Sequence, residues 1–71
     1  MKAIVTVNSE FDEVEVYFAD RYVIGENSEL TLQIDREKEY TDREGVLKKY
    51  STYIDIVTYA PGSWVKVELV E

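Results

Sequence analysis

The sequence predicts an α+β fold: a small antiparallel β-sheet meander carrying one short helix, with a small all-β barrel as the alternative. Three observations predict it. Asp12–Phe18 and Glu29–Asp35 alternate polar and apolar, the period of a strand with one buried face. Thr41-Asp-Arg-Glu44 fits a capping box, the start signal of a helix. An apolar content of 45% with nine aromatics marks a chain that packs a core despite its charge.

At 71 residues the chain forms one domain, spanning 1–71. A domain of that size buries only about 60% of the surface its unfolded form exposes. It has no cysteine, hence no disulfide staple and no thiolate metal site. A dimer interface is one way for so small a chain to bury more apolar area. The N-terminus, Met-Lys-Ala-Ile-Val-Thr-Val-Asn, turns polar too soon for a signal peptide. No apolar run approaches the roughly 20 residues of a membrane span. These features predict a cytoplasmic protein without membrane contact.

Lys2–Asn8 reads as the first strand, with Ala3, Val5 and Val7 on one face and Ile4 and Thr6 on the other. Asn8-Ser9-Glu10 is a turn signal. The second strand, Asp12–Phe18, would direct Val14, Val16 and Phe18 to the core and Glu13, Glu15 and Tyr17 to water. Arg21–Ile24 is a short strand, and Gly25-Glu-Asn-Ser28 a loop whose Gly and Asn tolerate positive φ. Glu29–Asp35 then places Leu30, Leu32 and Ile34 inward. Arg36–Glu39 is a solvated mixed-charge run.

The helix would begin at Thr41, with acids early at Asp42 and Glu44 and bases late at Lys48 and Lys49, as its dipole prefers. Val46, Leu47 and Tyr50 form its apolar stripe. Gly45 weakens it by about 1 kcal/mol, and a hairpin turning at Asp42–Gly45 is the competing reading. The last twenty residues read as a hairpin around Pro61-Gly62, with Tyr59 opposite Trp64 and Ala60–Ser63 as a wider loop. That register gathers Ile54, Ile56, Val65, Val67 and Leu69 on one face. It leaves Tyr53, Val57, Tyr59, Trp64 and Val70 on the other, and these five are the expected homodimer interface. Its flaw is Asp55 opposite Glu68, like charges across a strand pair.

The absence of His and Cys removes most nucleophilic catalysis and the neutral-pH proton shuttle, so no enzyme and no cofactor is expected. The acids lack the spacing of a calcium loop. Charge carries more information. Net charge is −7, and residues 1–35 hold eight acids against two bases, whereas residues 36–71 hold seven against six. This balance opposes direct nucleic-acid binding, which needs Lys and Arg to neutralise phosphates. It favours a basic partner and salt-sensitive association. Alternate residues on a strand lie about 6.6–6.8 Å apart, close to two phosphate steps along one DNA strand at about 3.4 Å each. Glu13 and Glu15, joined by Glu29 and Asp35 from a second strand, would imitate a phosphate row, extended by Glu10, Asp12, Asp20 and Glu26. These eight acids are the expected partner-binding residues.

In size, acid excess, lack of Cys and His, and its acid-lined strand Asp12–Phe18, the chain resembles the small acidic DNA-mimic proteins of bacteriophages. The resemblance includes no sequence motif, because such mimics share charge geometry rather than residues. It implies a host-takeover inhibitor that occupies the basic DNA-binding surface of a host protein and displaces DNA, acting in the host cytoplasm. The histone-like HU protein is the favoured target and a restriction or CRISPR nuclease the second. A different class of function is a small protein–protein interaction subunit that uses an aromatic sheet face with no DNA mimicry.

Overall fold

The computed structural model describes all residues 1–71 and is all-β. Six strands, β1 (Lys2–Val7), β2 (Val14–Phe18), β3 (Arg21–Ile24), β4 (Leu30–Thr41), β5 (Leu47–Tyr59) and β6 (Trp64–Val70), form two three-stranded sheets. The first sheet has the order β2-β1-β6 and the second β3-β4-β5, every neighbour antiparallel. There is no helix, which overturns the α+β expectation, and the sheets do not close into a barrel.

The helix fails because its start signal serves a turn instead. The Asp42 carboxylate accepts the N–H groups of Glu44 and Val46, both at 2.9 Å. Gly45 takes φ 80°, a conformation that costs glycine little. The Asp42 N–H reaches the Val46 carbonyl at 3.0 Å, and Lys48 lies 3.5 Å from the Asp42 carboxylate. Those N–H groups hold the Asp42 carboxyl below its usual value, Val46 foremost. A helix cap is worth about 1 kcal/mol. Twelve matched residue pairs between β4 and β5, rich in Tyr, Thr and Ile, outweigh it.

The C-terminal hairpin is likewise replaced. β5 pairs along its length with β4, β6 pairs with β1, and Ala60–Ser63 carries the chain from one sheet to the other. The crossing is a tight turn: Ser63 N–H and Oγ both reach the Ala60 carbonyl, at 3.1 and 2.7 Å, and Gly62 has φ 81°. The charged run Arg36–Glu39 supplies the strand that β5 needs. Asp55 consequently meets Gln33 rather than Glu68, and Glu68 pairs with Lys66.

The sheets meet face to face over Ala3, Val5, Ala19, Leu30 and Leu32, the five buried residues. Tyr17, Val57, Tyr59, Trp64, Val67 and Leu69 pack around them. Val57, Tyr59 and Trp64, expected at a dimer interface, therefore belong to the core. Tyr53 lies outside it under the Arg21 guanidinium, 3.6 Å from its ring centroid, and Val70 is half-buried opposite Lys2.

Register also reverses the expected faces of β2. Tyr17 lies opposite Ala3 and Glu15 opposite Val5, so those two side chains share the inner face. Val14, Val16 and Phe18 point outward and are 56%, 55% and 77% exposed. Alternation defines the period of a strand but not which half faces in. Here the long Tyr17 side chain fills the space beside the small Ala3, and its ring meets Tyr59 edge-on at 6.4 Å.

Beyond Gln33, where β3 ends its pairing, β4 and β5 continue alone as a two-stranded ribbon. The molecule measures 58 × 26 × 12 Å. The run Asp35-Arg-Glu-Lys-Glu39 alternates in sign at the period of a strand, so the ribbon separates its charges. Arg36 and Lys38 share one face with Tyr40, Lys48 and Tyr50; Asp35, Glu37 and Glu39 share the other with Lys49. Tyr40 and Tyr50 pack edge to face at 5.7 Å, and Lys49 lies 3.6 Å from Glu39.

Candidate functional site: an acidic loop end

Three connections meet at one end of the paired sheets. Asn8 Nδ2 donates to the Gly62 carbonyl at 2.8 Å and the Asn8 N–H to the Ser63 carbonyl at 3.0 Å, joining the β1–β2 and β5–β6 loops. Trp64 Nε1 donates to the Ser28 carbonyl at 2.9 Å, adding the β3–β4 turn. The side chains of this end are Glu10, Asp12 and Glu13 from the first loop and Glu26 and Glu29 from the turn, with no lysine or arginine in any of the three connections.

Each loop has a local cause. In the first, Val7 N–H reaches the Glu13 carbonyl at 2.8 Å, and the chain between them turns with Asp12 at φ 49°, which Asp tolerates better than most residues. In the second, the Gly25 N–H donates to the Glu29 carbonyl at 2.9 Å, Ser28 adopts φ 66°, and the Glu29 carboxylate accepts the Asn27 N–H at 3.2 Å. The Glu29 side chain folds over Gly25 so closely that a Cβ there would collide with it. Phe11, 79% exposed, lies in the same loop as Glu10, Asp12 and Glu13.

The remaining expected acids lie elsewhere. Glu15 sits on the inner flank of β2 and accepts the Tyr59 hydroxyl at 2.6 Å. Asp20 and Asp35 are at the opposite end of the sheets, where the Asp20 carboxylate accepts the Asp35 N–H at 2.7 Å. Glu13 lies in the β1–β2 loop, Glu15 on β2 of the first sheet, Glu29 in the β3–β4 turn and Asp35 on β4 of the second sheet, so the four do not line up along one pair of strands. Five of the eight acids converge, through loops rather than along strands. Phe11 carried no signal in the sequence, because its neighbours give it no period.

Tyr59 ties the flank of this region together. Its hydroxyl lies 3.3 Å from that of Tyr17, and its pKa is pushed up by burial first and by the hydrogen bond with Glu15 second. A tyrosine whose folded pKa lies above its unfolded one stabilises fully below the unfolded value, about pH 10. That contribution is lost as pH rises from there toward the folded value. Urea midpoints measured from pH 8 to 11 should fall above about pH 10, and Tyr59→Phe should flatten much of that fall. An unchanged slope in the variant would remove Tyr59 as its cause.

The fold and site together define a small two-sheet β protein with a negatively charged loop end. Comparison with family models, with curated proteins and with solved structures yields no match. No group of three or more His, Cys, Asp or Glu side chains is arranged to hold a metal ion. No helix is long and apolar enough to cross a membrane.

Proposed function

We propose that the protein is an acidic DNA mimic that acts in the cytoplasm, presenting its loop end to the basic DNA-binding surface of a host protein and displacing DNA. The histone-like HU protein is the favoured target, with a restriction or CRISPR nuclease second. The observation that carries this reading is the convergence of Glu10, Asp12, Glu13, Glu26 and Glu29 on three connections without a base. A surface built to hold phosphates would meet carboxylates in their place, and attraction between the two raises the association rate at low salt. Phe11 gives the acidic end an aromatic anchor of the kind that dominates interface energetics.

The test is displacement of DNA from an HU-like protein by wild type and by the variant Glu10→Gln, Asp12→Asn, Glu13→Gln, Glu26→Gln. Glu29 is retained because it holds the turn. The variant should lose at least about tenfold in potency, an order set by several partly screened charge pairs, and its potency should vary less with salt. Glu37→Gln with Glu39→Gln on the ribbon should change little. Equal potency of wild type and the fourfold variant would overturn the reading.

The second reading, an interaction subunit without mimicry, is favoured by the outer face of the first sheet. Val14, Val16 and Phe18 lie uncovered there beside the half-buried Ile4. Binding through that face would persist at high salt and would be lost in Phe18→Ser.

A further inference from the structure

We infer that the free edge of β5 is an interface with a second copy of this chain, paired antiparallel about a two-fold axis through Thr52. The inference does not rest on the role of the acidic loop end. β5 is the last strand of its sheet, and its thirteen residues carry an unpaired row of backbone groups along one side. Natural edges of that length are usually interrupted by proline, inward charges or bulges. β5 has no proline, and its one irregularity, the extra residue Ile56, lies near its far end.

Two quantities indicate that something covers this part of the molecule. A compact monomer of 8.3 kDa exposes about 4,600 Å². This chain exposes 5386 Å², an excess of about 800 Å², which is one partner's share of a standard protein interface. Its radius of gyration is 16.1 Å, against about 11 Å for a compact chain of this length. The ribbon contributes to it, since Asp35–Thr41 and Leu47–Ser51 are all exposed. A two-stranded ribbon is marginal in water, and a third strand is what it lacks.

Symmetry and charge select the register. A two-fold axis perpendicular to the sheet keeps every side chain on its own face, so one residue must sit opposite its own copy. Among such centres, only Thr52 brings Asp55, the sole carboxylate of β5, opposite a lysine, Lys49. The same register sets Tyr50 opposite Ile54 and Ser51 opposite Tyr53, and it ends before the bulge. Within one chain, Arg21 Nε donates to Gln33 Oε1 at 2.6 Å and Gln33 Nε2 to Asp55 Oδ1 at 2.6 Å, while Lys49 bridges Glu39. Pairing at Thr52 joins these pieces into one polar ladder: Glu39 and Lys49 of one protomer continue into Asp55, Gln33 and Arg21 of its partner.

The experiment is sedimentation of wild type, Lys49→Glu and Asp55→Lys at tens of micromolar. Wild type should sediment at twice 8.3 kDa. Each variant alone opposes like charges across the axis and should be monomeric. An equimolar mixture of the two restores both ion pairs and should give a heterodimer, an outcome that damage to the fold cannot mimic. Independently, Thr52→Cys should oxidise to a covalent dimer, because opposed residues in antiparallel strands have Cα atoms about 4.5–5.5 Å apart, within disulfide reach; the chain has no other cysteine. A monomeric wild type, a dimer indifferent to both charge variants, or a Thr52→Cys chain that stays uncrosslinked would each overturn the inference. So would capture of an unrelated extended peptide along β5 in place of the second copy.

Discussion

Leu32→Ala should remove about half or more of the protein's folding stability. Leu32 is fully buried between the sheets, paired with Tyr22 on β3 and Val57 on β5. Removing a buried leucine side chain costs about 2–5 kcal/mol, the spread reflecting how far the site can collapse. This site has little room to collapse, since its neighbours Leu30 and Val5 are also fully buried and are held by backbone pairing on both sides. With only five buried residues, the total stability should lie toward the low end of the usual 5–15 kcal/mol. Val16→Ala is the matched control. Val16 points outward and is 55% exposed, so its truncation should cost less than about 1 kcal/mol. Thermal melts by circular dichroism separate the two. A Leu32→Ala melt overlapping wild type, or a Val16→Ala melt as low as that of Leu32→Ala, would contradict the assigned faces.

Trp64→Ala should be the second large loss, at about 3 kcal/mol. Trp64 begins β6 opposite Val7 and packs on the core, while its indole N–H crosses to the Ser28 carbonyl in the β3–β4 turn, which connects two strands of the second sheet. It is the one side chain here that joins the two sheets by both packing and a hydrogen bond to backbone. Trp64→Phe keeps most of the ring and gives up the hydrogen bond, so it should lose about 1 kcal/mol. Trp64→Arg places a charge in the packed face and should unfold the chain rather than merely release a partner. Chemical denaturation should rank the variants Phe, then Ala, then Arg in increasing loss. A folded, monomeric Trp64→Arg would return this residue to an exterior interface.

Leu32 is buried as its alternation implied, whereas the outward Val16 and the inward Trp64 reverse expectations from the sequence, and the reversals have physical causes. Alternation along Asp12–Phe18 showed a strand, but period alone assigns no sign to a face. The sign came from β1, whose Ala3 and Val5 set Tyr17 and Glu15 toward the second sheet. Thr41–Glu44 carried a genuine local helix signal, worth about 1 kcal/mol, and lost to the long-range pairing of β4 with β5. The same pairing turned Arg36–Glu39 from a solvated run into strand, and so left β6 free to pair with β1.

The sequence by itself determined where most strands lie, because side-chain alternation and turn residues act over neighbouring positions. Arg21–Ile24 has the expected bounds and Gly25–Ser28 is a turn, while Ala60–Ser63 reverses the chain where expected but as a tight turn between sheets, not the wider loop of a hairpin. It also determined the acid excess of the first half. Only the tertiary structure decided which strands became neighbours, which face of β2 turned inward, and which acids met. Those depend on contacts between residues such as Asn8 and Gly62, or Trp64 and Ser28, that lie 54 and 36 positions apart. Such contacts form only when sheet-on-sheet burial offsets the entropy of closing long loops, a balance no local stretch records.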